Sequence, residues 1–175
     1  MDLAAVDLPD IARPDVAGIV IRTWRTDDQP RTADAAMKTW RSRAWPADCL
    51  SRSVLLGTDG RLVLHYEQWT SPQLGYRLVH AEPDDWPSAS DEVLIVSFGV
   101  SKVAQQRRLV DVMLPHVTPG TYLHASTDGT GVLAWTTQDT WQHLDELPWV
   151  ERLSSLRFRP HAALAHSSVA TARSA

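Results

Sequence analysis

A chain of 175 residues with 43% apolar side chains can bury a core as one domain or two small fused ones. Its formal charge of −4 provides no basic surface for nucleic acid, the lone Cys49 excludes an internal disulfide and suits a reducing cytoplasm, and no apolar run approaches membrane-span length. No zinc-type His or Cys spacing, Gly-rich phosphate loop or dinucleotide fingerprint is legible, so any chemistry is expected to need neither a metal nor a bound cofactor.

In chain order, residues 1–15 are acidic and punctuated by proline, and read as an N-terminal arm. Val16 to Arg25 is rich in β-branched residues and reads as a strand. Ala33, Ala36, Met37, Trp40 and Ala44 then recur at helical spacing with arginines opposite, and Pro46 ends that helix. Leu50 to Gly57 and Arg61 to Trp69 form a hairpin about Asp59-Gly60, because Gly supplies the positive φ of a tight turn. Ser71 as N-cap and Pro72 at the first helical position predict a short helix reaching His80. Residues 81–92 are polar, contain two prolines and read as a linker.

The second half opens with a strand from Val93 to Val100, followed by a helix from Ser101 to about Leu114 that buries Val103, Leu109, Val110 and Met113. A second hairpin turns at Asp128-Gly129. A helix over about 139–147 and a strand near 156–164 follow, and 166–175 reads as a flexible tail. Both hairpins carry Thr-Asp-Gly, with Asp59 and Asp128 separated by 128 − 59 = 69 residues. The chain therefore reads as a duplicated module, 16–80 and 93–165. The expected fold is α+β: two fused ferredoxin-like modules whose sheets face each other in a pseudo-dimeric α+β barrel.

Tryptophan stands out, with eight copies against two Phe and three Tyr. Each offers a broad flat surface and one N–H donor, which suits either a core or a pocket for planar aromatic molecules.

The run Tyr66-Glu67-Gln68-Trp69-Thr70-Ser71 at the end of a strand resembles the signature of the antibiotic biosynthesis monooxygenase superfamily. His124 to Thr130 is similar to the matching hairpin of its anthrone-oxidising members. The resemblance covers most of residues 16–165, as a tandem. It implies a cofactor-independent monooxygenase that oxidises a phenolic or anthrone-like aromatic polyketide with O₂ to a quinone. Those relatives carry Asn four residues before the signature Trp, where this chain has His65. In the second copy Ala134 and Gln138 replace the Asn and the Trp, with Trp135 and Trp141 nearby, so that copy is expected to complete the barrel without a site. The same fold hosts polyketide cyclases and proteins without activity, so non-oxidative tailoring and a binding or scaffold role stand as alternatives. Haem degradation is more distant, since its axial His and its Asn find no match.

Period-two alternation puts His65, Glu67 and Trp69 on one face of their strand. His65 and Trp69 are the expected catalytic pair, the His accepting a phenolic proton and the Trp forming a wall of the slot. Tyr76, Trp24, Arg22, Glu67 and Trp40 are the expected substrate-binding residues. Arg22 could stabilise a phenolate and Glu67 is a secondary base, while Trp40 also fits a helix core. Tyr66 points the other way, into the barrel, and His124 is expected to be exposed before its turn. The expected partner is a small aromatic polyketide, with no nucleic acid and no membrane; homodimerisation is left open.

Overall fold

Gly60 and Gly129 take φ of 74° and 78°, and each closes a two-stranded hairpin. Asp59 Oδ1 accepts the N–H groups of Arg61 and Leu62 at 2.9 and 3.0 Å, and Asp128 Oδ1 accepts that of Thr130 at 2.9 Å. A short carboxylate bonding its own turn backbone is the reason Asp precedes Gly here.

The computed structural model describes residues 3–6, 10–82 and 92–166. Its strands are β1 (Leu3–Val6), β2 (Gly18–Arg25), β3 (Cys49–Gly57), β4 (Leu62–Trp69), β5 (Tyr76–Glu82), β6 (Val93–Gly99), β7 (Thr121–Ser126), β8 (Gly131–Thr136) and β9 (Glu151–His166). Two α-helices interrupt them, α1 (Gln29–Ser42) and α2 (Val103–Met113). The sheet order is β1-β9-β3-β4-β2-β5-β7-β8-β6, and β6 returns to pair with β9. Strands β2 to β9 thus close an eight-stranded antiparallel barrel, to which β1 adds along β9.

Closure depends on the length of β9. Glu151 to Phe158 pairs with β6 and Phe158 to Ala165 pairs with β3, so one strand joins the two ends of the sheet. The thinnest seam is β2–β5, bridged by the single pair Ile19↔Tyr76.

Around the closed sheet the strands run β3-β4-β2-β5 and then β7-β8-β6-β9, the same order of pieces twice. A matching hydrogen-bond clamp occurs in each half. Gln29 Nε2 of α1 donates to the carbonyls of Gly57 and Leu62 at 2.9 and 2.6 Å. Gln106 Nε2 of α2 donates to those of Ser126 and Gly131, both at 2.8 Å. The acceptors are offset by the same 69 residues as the turns.

Three apolar layers result. The barrel interior is filled by Ile19, Leu55, Leu64, Tyr66, Ile95, Tyr122, Leu133, Trp135 and Phe158. Outside, α1 lays Ala33, Met37 and Trp40 on Val54, Val63 and Leu164, and α2 lays Leu109 and Met113 on Val96, Leu123 and Ala134.

The ferredoxin-like expectation is overturned. The structure is mostly β, and its two halves join edge to edge through β5–β7 and β9–β3 hydrogen bonds instead of facing each other as separate sheets. The helices expected over 71–80 and 139–147 do not form. Ser71 donates its hydroxyl to the Asp48 carboxylate at 2.5 Å instead of capping a helix. A Cβ at Gly75 would run into the carbonyl oxygen of Ile19, so the chain there lies tight against β2 and then enters β5 extended. Only a 3-10 turn, Gln142–Glu146, stands in for the later helix.

The N-terminal arm is also tied down, since β1 pairs with β9, Ile11 is buried in the interior layer, and Gln68 Nε2 donates to the Asp10 carbonyl at 2.7 Å. Of the expected linker, residues 81–82 close β5 and 83–91 lie outside the described residues, as do 167–175 of the expected tail. No helix among the described residues is long and apolar enough to cross a membrane.

Candidate functional site

On β4 the alternation turns Leu64 and Tyr66 into the barrel, and His65, Glu67 and Trp69 outward, onto the face that carries α1. The His65 ring lies between two indoles: Trp24 of β2 at a centroid distance of 4.0 Å and Trp40 of α1 at 4.9 Å, nearly edge-on at 70°. Trp40 is buried, whereas Trp24 is 39% exposed and forms the outer lip. Arg22, exposed, stands directly opposite His65 in the β2–β4 register.

His65 Nε2 is buried and finds no hydrogen-bond partner. Burial, aided by the positive charges of Arg22 and Arg52, holds the imidazole down to about 4, so near neutral pH it is the free base. A neutral imidazole with an unpaired nitrogen can accept a proton or a hydrogen bond from a ligand.

One register step along, Arg52 of β3 pairs with Glu67 of β4. The Arg52 guanidinium is framed by three indole rings, Trp45 at 5.0 Å and Trp40 and Trp69 at 5.7 Å each. Trp45 is fixed by donating Nε1–H to the Cys49 carbonyl at 2.6 Å. Glu67 Oε1 lies 3.6 Å from Arg52 Nε, an ion pair longer than a hydrogen bond. Burial pushes the Cys49 thiol up to about 12, which leaves it without thiolate at neutral pH.

The structure therefore gathers His65, Trp69, Trp24, Arg22, Glu67 and Trp40 on one outer face. Tyr76 is the exception. It begins β5, pairs with Ile19 and packs on the interior layer, so the sheet separates it from His65. Tyr76 lies on a strand and not on the helix expected over 71–80. His124 likewise departs from the sequence expectation. It is fully buried inside the barrel, edge-on to Tyr66 at 6.2 Å, with neither ring nitrogen in a well-formed hydrogen bond although the backbone of Tyr122 and Leu133 lies near.

Arg52 and Trp45 belong to the cluster, yet the sequence had not marked them. The available signal was parity: in β3, Arg52 alternates with the inward Ser51 and Ser53 and so shares a face with Val54 under α1. In the second half Ala134 occupies the outward position corresponding to His65 and is packed under α2, with Trp141 buried in the same layer. A hollow of about 330 Å³ beside Thr58, Asp59, Asp139 and Arg157 shares no residue with the aromatic cluster.

Compared with known proteins, the chain matches no family model, no curated protein and no solved structure.

Proposed function

We propose that this outer face binds a planar phenolic molecule, and that the protein is a cofactor-independent monooxygenase acting on it. The observation that carries this is the unpaired, neutral His65 nitrogen held between Trp24 and Trp40. The partly exposed indole of Trp24 offers an aromatic ring a stacking surface, and when Trp24 shifts to admit the ligand the buried His65 nitrogen accepts the phenolic proton. Arg22 and Arg52 bring positive charge toward the oxyanion that forms. The electron-rich ring then reduces O₂. One oxygen atom becomes the new quinone carbonyl, and the other leaves as water with the two hydrogens of the oxidised carbon. The lone Cys49 supports a reducing, cytoplasmic setting for the reaction, and the resemblance of residues 66–71 to the monooxygenase signature supports aromatic polyketides as its substrate class.

The test combines an oxygen electrode with absorbance, using a hydroxylated anthrone and the purified protein. Oxygen uptake matched by quinone formation, and lost in His65→Ala, supports the proposal. Conversion of a polyketide without oxygen uptake would reassign the face to non-oxidative tailoring such as cyclisation. Binding with no conversion would leave a carrier or scaffold.

A further inference from the structure

The proposed function draws on His65, its two flanking indoles and the charge of Arg52, but leaves the costly setting of that arginine unexplained. Arg52 is a cation whose side chain is only 16% exposed. Its Nε is buried without a hydrogen bond, and its nearest carboxylate, Glu67, stays at 3.6 Å. The Cys49 sulfur also lies within hydrogen-bonding reach of the guanidinium, but a neutral thiol is a weak acceptor. A buried charge is ordinarily matched by close, well-aligned hydrogen bonds. Here three indole rings flank the guanidinium, and its buried Nε is left without a hydrogen-bond acceptor.

We infer that Arg52 is an anion receptor that selects ligands bearing an ionised carboxylate beside their aromatic ring. The inference rests on the aromatic-binding reading of this face and adds to it the charge and shape of the ligand. A planar fork suits a carboxylate, which it can engage through two parallel N–H···O bonds. The flanking indoles lower the local dielectric around that contact and so strengthen it. Trp40 touches both halves of the cluster, against the His65 ring on one side and the Arg52 guanidinium on the other. A single bicyclic ligand can therefore stack at His65 while its carboxylate reaches Arg52. Glu67 sets the limit of selection, since it repels an anion that approaches without displacing the loose ion pair.

The probes are hydroxynaphthoate and hydroxynaphthamide, which share ring and phenol and differ in charge, titrated against the full chain by tryptophan fluorescence or calorimetry. Wild type should prefer the carboxylate by about tenfold or more, the scale of a charged hydrogen bond. In Arg52→Gln that preference should collapse while the amide still binds, and Arg52→Lys should keep part of it, having charge without the fork. Equal affinities in wild type would overturn the assignment and leave the aromatic-binding reading standing. A preference that survives Arg52→Gln but disappears in Arg22→Gln would give the role to Arg22 and overturn it as well. If neither probe binds wild type, both the assignment and the reading beneath it fall. Should Arg52→Gln not fold, the wild-type pair of affinities and Arg52→Lys still decide.

Discussion

Tyr66 and Trp135 meet edge to face in the centre of the barrel, their ring centroids 5.2 Å apart. They occupy corresponding positions of β4 and β8, separated by the same 69 residues as the two Asp-Gly turns. Each half thus contributes one large aromatic to a shared contact, and neither half can fill the interior alone.

That contact sets the first expectation. Trp135 is among the largest fully buried side chains, so Trp135→Ala should leave a cavity costing roughly 3–5 kcal/mol in unfolding free energy. Denaturant titration measures it. A loss under about 1 kcal/mol would mean that the barrel collapses around the hole.

The glutamine clamps should be equivalent. Gln29→Ala and Gln106→Ala each remove a side-chain donor from two hairpin carbonyls, of which Gly57 and Ser126 keep the N–H of their turn glycine, at a cost of about 1–3 kcal/mol. Amide exchange should quicken in the hairpin belonging to the mutated helix, with the other hairpin unchanged. Equal acceleration in both hairpins would show that the clamps act globally.

His124 should make the fold sensitive to acid. Burial lowers its pKa from the ordinary 6.5 to about 4, so between those values the unfolded chain binds a proton that the folded chain refuses. Stability from this group is fully present above pH 6.5 and is lost as pH falls toward 4, by something on the order of 3 kcal/mol. His124→Leu should flatten that slope at little cost to stability at neutral pH, because the buried ring makes no well-formed hydrogen bond that the leucine would lose. Parallel slopes in the two proteins would place the acid sensitivity elsewhere.

His65 should titrate near 4 in the free protein, with no step at the ordinary 6.5, when followed by NMR of its ring. An anionic aromatic ligand should raise that midpoint, because a nearby negative charge favours the imidazolium. His65→Ala should lower turnover by about 10²–10⁴-fold if His65 is the proton acceptor. A folded, fully active His65→Ala would remove it from the chemistry.

Much of this molecule was determined locally. The Asp-Gly turns, the strand parity that puts His65, Glu67 and Trp69 together, and the apolar stripe of α1 follow from φ preference and from periods of two and 3.6 residues. Parity reports which residues share a face, but not which face of a sheet turns inward. Only the tertiary structure decided that this group lies outside, beneath α1, while Tyr76 and His124 point inside. Local signals also misled after β4, where Ser71-Pro72 satisfies the rules for starting a helix. There Gly75 packs against β2, and β5 takes its hydrogen bonds from β7, whose partner residues lie 39 (121 − 82) to 50 (126 − 76) positions away in the chain. Such pairing is set by which edges remain open once the other strands are in place. The gathering of Trp45, Trp69 and Trp40 around Arg52 is also tertiary, because they come from a loop, a strand and a helix that meet only when α1 packs on the β3–β4 hairpin.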